Sequence, residues 1–125
     1  MKKSSRPAPI AEYAMLRENE AAQGLAASAA QLREKEKQLE QLRGYVAEYR
    51  RRALHESTDV ARVQHVRAFL ARLRDAVAFH ETEMQKAIDR HRLEAERWRD
   101  SRERAQTFDE YAERTQRQER TADPS

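Results

Sequence analysis

An all-α fold, an elongated antiparallel coiled coil of two helices (an α-hairpin), is predicted by three observations. Strong helix formers (Ala, Glu, Arg, Gln, Leu) dominate the 125 residues, with only two Gly and three Pro. Apolar residues recur every seven positions along two long stretches, the mark of a coiled-coil seam. One short polar break, HESTD at 55–59, separates those stretches. Charged residues make up 38% of the chain, against about 25% in ordinary globular domains, so a compact apolar core is not expected.

Taken in order, residues 1–9 (MKKSSRPAP) carry Lys2, Lys3 and Arg6 with no acid, and Pro7 and Pro9 push the residues before them toward extended conformations. They read as a flexible basic tail. From Ile10 to about Leu54 no Pro occurs, and Gly24 and Gly44 each cost about 1 kcal/mol relative to Ala. One helix of roughly 45 residues, close to 70 Å, fits this stretch. Its a positions are Leu25, Leu32, Leu39, Val46 and Ala53, and its d positions Ser28, Lys35, Leu42 and Tyr49. In the break, Ser57, Thr58 or Asp59 can accept a backbone N–H as the N-cap of a second helix.

The second seam runs seven heptads without a skip. Val63, Leu70, Val77, Met84, His91, Trp98, Ala105 and Ala112 take a, and Val66, Leu73, His80, Ala87, Glu94, Ser101, Phe108 and Thr115 take d. With no Gly or Pro between Asp59 and Asp123, a helix of about 60 residues, roughly 90 Å, is expected. So short a connection forces the two helices antiparallel. The coiled-coil hairpin is thus placed at 10–121 with its turn near 55–59, and residues 122–125 are expected to fray. Because the second helix outruns the first, its C-terminal part, with Glu94 and Ser101 at d, is expected to lack an intramolecular partner.

Several function classes fall away. A mean hydropathy of −1.11 leaves no window of about 18 apolar residues for a membrane span and no apolar run for a secretory signal, so a cytoplasmic protein is expected. Zero Cys removes disulfides, thiolate zinc sites and cysteine nucleophiles. No two of His55, His65, His80 and His91 stand four residues apart, as two imidazoles sharing one zinc on a helix do. His80 and His91 read first as polar seam residues, with a ligand or pH-switch role as the alternative. A thin two-helix rod offers no water-excluding pocket for catalytic carboxylates, and two glycines make no phosphate-cradling loop. No enzyme, no metal and no cofactor are expected.

The two edges of the hairpin differ. Near the turn, the e edge collects Arg43, Arg50, Arg67 and Arg74, whereas the g edge collects Tyr45, Phe69 and Ala76, flanked by Leu42, Tyr49 and Leu73 at d. A two-stranded coil does not fully bury g residues, so the g edge reads as a partly exposed apolar contact surface, unless Tyr45 and Phe69 merely cover the seam. Residues 50–74 hold seven Arg against Glu56 and Asp59, which suits an acidic partner or a phosphate backbone. Charge runs on helices are mostly solvated faces and net charge is only +3, so nucleic acid is not the expected partner. Trp98, the single Trp, either packs on the gap left by Ala21 and Ala22 or projects as an anchor for a partner.

Residues 38–49 (QLEQLRGYVAEY) and 69–80 (FLARLRDAVAFH) resemble the FliJ family, the small coiled-coil stalk of the bacterial flagellar type III export ATPase complex. The resemblance implies a surface for the export gate protein FlhA at Gln38, Leu42, Tyr45, Tyr49, Phe69, Leu73, Ala76 and His80, the d and g positions of the apolar edge. It further implies a non-enzymatic stalk whose joined termini reach into the hexameric export ATPase FliI and whose hairpin side faces the gate. Such a stalk assists export of flagellar subunits, helps handle export chaperones, and associates peripherally with the inner-membrane export apparatus without inserting in it. Injectisome stalk proteins of virulence secretion share this architecture, and a generic cytosolic coiled-coil adaptor shares the fold.

Overall fold

The computed structural model describes residues 7–56 and 59–122, which form two helices, α1 (Pro7–Glu56) and α2 (Val60–Ala122), packed against each other as a helical hairpin. Among the described residues there is no strand. Helix α1 starts inside the stretch read as a tail. Prolines in a first turn forfeit no helical hydrogen bond, because those N–H groups have no intrahelical partner in any case. The rest of that tail, residues 1–6, lies outside the described residues, as do residues 123–125 of the segment expected to fray.

Helix α2 begins on an acidic cap. Asp59 accepts the Ala61 N–H on Oδ1 at 3.2 Å, and its carbonyl accepts the Val63 N–H at 3.0 Å. A carboxylate at this position satisfies an orphan donor and faces the positive end of the helix dipole. The other two candidate caps, Ser57 and Thr58, lie outside the described residues.

Burial repeats every seven residues in both helices. Every seam position named above is buried or half-buried except Val63, which is 39% exposed beside the turn. That periodic burial is what a coiled coil requires. The chain divides into two compact units, a turn unit (29–90) and a terminal unit (1–28 with 91–125).

In the turn unit, cross-helix contacts join Arg43 to Glu81 and Tyr49 to Phe69, so the two segments run antiparallel. Its apolar seam includes Leu39, 1% exposed and the one side chain among the described residues that is below 2%. Gly44 lies on the outside, with nothing within 4 Å of where a Cβ would stand. Gly44→Ala therefore adds helix propensity without a clash and should stabilise the chain by about 1 kcal/mol. A midpoint of thermal unfolding raised by a few degrees, followed by circular dichroism, is the expected reading; no rise would mean that this site is not regular helix in solution.

The terminal unit is closed by small and polar groups. Ala14 and Ala105 are 5% and 4% exposed, and Ser28 and Glu94 are buried with them. The Ser28 hydroxyl donates to the Leu25 carbonyl at 2.8 Å and lies 3.1 Å from His91 Nδ1. With its one proton committed, the hydroxyl accepts from the ring N–H. Gly24 leaves room for the Glu94 carboxylate, whose Oε2 would stand 2.7 Å from an added Cβ.

These contacts correct one expectation. Glu94 and Ser101 do have an intramolecular partner: Glu94 is 9% exposed beside Gly24, and Ser101 is half-buried in the same unit. The reason is registry. With Ser28 opposite His91, the start of α1 at Pro7 brings that helix alongside α2 well past Ser101. The same register sets Trp98 level with Ala21, where Trp98 is half-buried and carries the Arg102 guanidinium 5.3 Å from its ring centroid. This matches the packing reading of Trp98 and not the projecting anchor.

Candidate partner-binding edge

All eight residues of the proposed gate surface lie in the turn unit, four on each helix. Spacing explains their grouping. Positions d and g are adjacent on a helical wheel, so Gln38, Leu42, Tyr45 and Tyr49 line one side of α1, and Phe69, Leu73, Ala76 and His80 line one side of α2.

The structure treats them unequally. Tyr45 is 53% exposed, while the other seven are half-buried. Tyr49 and Phe69 join the two helices through tilted rings, 4.7 Å between centroids at 51°. That is a favourable aromatic geometry, worth about 0.5–1.5 kcal/mol beyond the area it buries. Phe69 also carries the Arg72 guanidinium at 5.6 Å. Thus Phe69 covers the seam, and Tyr45 is the residue that projects. Gln38 is held on its own helix, donating from Nε2 to Glu34 Oε1 at 3.4 Å.

At this edge the heptad reading left one aromatic unmarked. Phe79 is 61% exposed at position c and meets the His80 ring edge-on at 5.5 Å. Position c adjoins g on the wheel, so Phe79 extends the d/g edge outward. The signal was present: a Phe at an outward position, where a solvated helix face ordinarily carries polar side chains.

The edge carries two phenols (Tyr45 and Tyr49), the Phe69 ring, the His80 imidazole, the Gln38 amide and aliphatic side chains on an open surface, a composition suited to protein contact, where Tyr and Phe are enriched. No helix among the described residues is long and apolar enough to cross a membrane.

Comparison with known proteins agrees with this geometry. No curated protein and no solved structure matches the chain significantly. The family model described as "Flagellar FliJ protein" matches residues 4–123. A match over nearly the whole sequence, on a helical hairpin with continuous heptad seams, means that the chain belongs to the FliJ family and is a flagellar, export-related protein.

Proposed function

We propose that this chain is a non-enzymatic stalk of the flagellar type III export apparatus, which binds the export ATPase FliI and the export gate protein FlhA and assists export of flagellar subunits. Family membership supports the setting. The observation that carries the partner assignment is the turn-unit edge, where Tyr45 projects, 53% exposed, beside the Tyr49–Phe69 ring pair. A tyrosine there contributes a large, rigid contact at low entropic cost, and leaves its hydroxyl free for a hydrogen bond. The gate is therefore met by Gln38, Leu42, Tyr45, Tyr49, Phe69, Leu73, Ala76 and His80, with Tyr45 as the first point of contact. The joined ends of the hairpin enter the ATPase hexamer, export chaperones dock elsewhere on the chain, and the protein works in the cytoplasm, at the membrane face of the apparatus but not in the bilayer.

Two measurements test this. Titrating the purified chain into the cognate ATPase should stimulate ATP hydrolysis and promote hexamers, seen by size exclusion. Tyr45→Ala combined with Phe69→Ala should weaken binding to the cytoplasmic part of the gate protein by at least about tenfold, on the scale of interface anchors. Tyr45→Ala alone separates contact from folding, since an exposed side chain can be truncated at little cost to stability. Unchanged affinity in a helical double variant would remove this edge from the gate contact.

A further inference from the structure

The opposite edge of the same turn unit is built for a different occupant. One groove lies along it, and a second, at the turn, joins it through Arg50. One has Val46, Ala47, Val77 and Ala78 between Arg50 and Arg74, with the Arg43–Glu81 ion pair closing its far end. The other, nearer the turn, has Ala53, Val63, Val66 and Leu70 with Arg50 and Arg67, and continues to Arg52 and Arg62 on the g side.

The arginines here are not consumed by the fold. Arg50, Arg67 and Arg74 are exposed, and among the described residues none has an ion pair or hydrogen bond. By contrast Arg43, at the far end of the edge, pairs with Glu81 at 3.6 Å, and Arg52 pairs with Glu48 at 2.9 Å. Three uncompensated guanidiniums along one seam repel one another and attract carboxylates. The ground between them is aliphatic: Val46 and Val77 are half-buried, and the small Ala47 and Ala78 are exposed, which lets another backbone approach closely.

We propose that this edge docks an acidic amphipathic helix from a partner protein. Its apolar stripe lies on Val46, Val77, Val66 and Leu70, and its flanking carboxylates reach Arg50, Arg67 and Arg74. The α1 residues that line the two grooves, 43 to 53, span about 15 Å, or three turns of a partner helix. A phosphate backbone would use the same cations but gain nothing from an aliphatic floor. For base stacking, Tyr49 in the groove already stacks on Phe69, which leaves the His65 imidazole as the one open ring in its lining. A bilayer surface suits a convex face and not a groove between helices. The groove nearer the turn shares Tyr49 with the d/g edge, whereas the other seven gate residues line neither groove.

The test uses the full chain and a fluorescein-labelled helical peptide of about 18 residues, long enough for the groove. The peptide carries Leu at every third and fourth position with Glu on both flanks, and is compared with a Gln-for-Glu version and a scrambled one. Fluorescence anisotropy should show binding of the acidic amphipathic peptide, weakened at least about tenfold by the Gln version, by scrambling, and by the triple variant Arg50→Gln, Arg67→Gln, Arg74→Gln. Circular dichroism of the variant shows that it still folds, and Tyr45→Ala should leave this binding unchanged. Absence of binding, equal binding of the scrambled peptide, or indifference to the triple variant would overturn the proposal. So would tighter, arginine-dependent binding to vesicles containing phosphatidylserine or to a short DNA duplex, either of which would reassign the edge to phosphate groups.

Discussion

Leu39→Ala should be the most damaging single truncation in the turn unit, lowering stability by about 3 kcal/mol within the usual 2–5 kcal/mol for a buried Leu. Leu39 is 1% exposed, whereas the seam residues before and after it, Leu32 and Val46, are only half-buried. A two-helix coil shields few side chains from water on all sides, so the one that is shielded carries a disproportionate share of the apolar burial. Truncation also leaves a cavity that two rigid helices fill only partly. Against a total stability of about 5–15 kcal/mol, the loss should lower the unfolding midpoint by roughly 10 °C. Leu16→Ala is the control, because Leu16 is 60% exposed and should move the midpoint by a degree or two at most. Equal shifts in the two variants would mean that Leu39 is not at the centre of the packing.

Glu94→Leu should have the opposite sign, raising stability by about 1–3 kcal/mol. Glu94 occupies a d position on the apolar seam and is 9% exposed. Its ion pair is with Arg97 at 3.2 Å on the same helix, and the Arg97 side chain is 61% exposed. Such a pair recovers little of the cost of removing the carboxylate from water, and it does not join the helices. Leu has nearly the same volume and desolvates without penalty beside the notch at Gly24. Thermal unfolding of the variant should shift upward by several degrees. Loss of stability would show that the carboxylate has a partner in solution worth more than its desolvation. The residue is costly but useful: a polar group at a single seam position specifies register in a coil whose leucines repeat every seven residues. Ser28 and His91, bonded one turn away, act in the same sense.

Much of the architecture was legible because heptad periodicity is a local property. Leucine every seven residues commits a helix face whatever lies opposite, and a polar break offering Ser57, Thr58 or Asp59 marks a helix start by its side-chain chemistry, although only the structure shows Asp59 in the capping bond. The two-edge asymmetry followed from the same counting, since g and e positions are assigned once a and d are. The family resemblance rested on residues 38–49 and 69–80, and the family match extends over 4–123.

What sequence alone determined, then, is which residues face the seam and which edge is cationic and which apolar, because both depend on position within one helix. Tertiary structure decided what those residues meet. That Glu94 and Ser101 are paired depends on the axial register of α1 against α2, which a repeat of seven leaves ambiguous by whole heptads. That Phe69 covers the seam while Tyr45 projects depends on a ring contact between helices. That Arg50, Arg67 and Arg74 stay uncompensated while Arg43 finds Glu81 depends on which carboxylate stands across the edge. Periodicity is set residue by residue along a chain, but partners are set only when two chains of side chains are brought level.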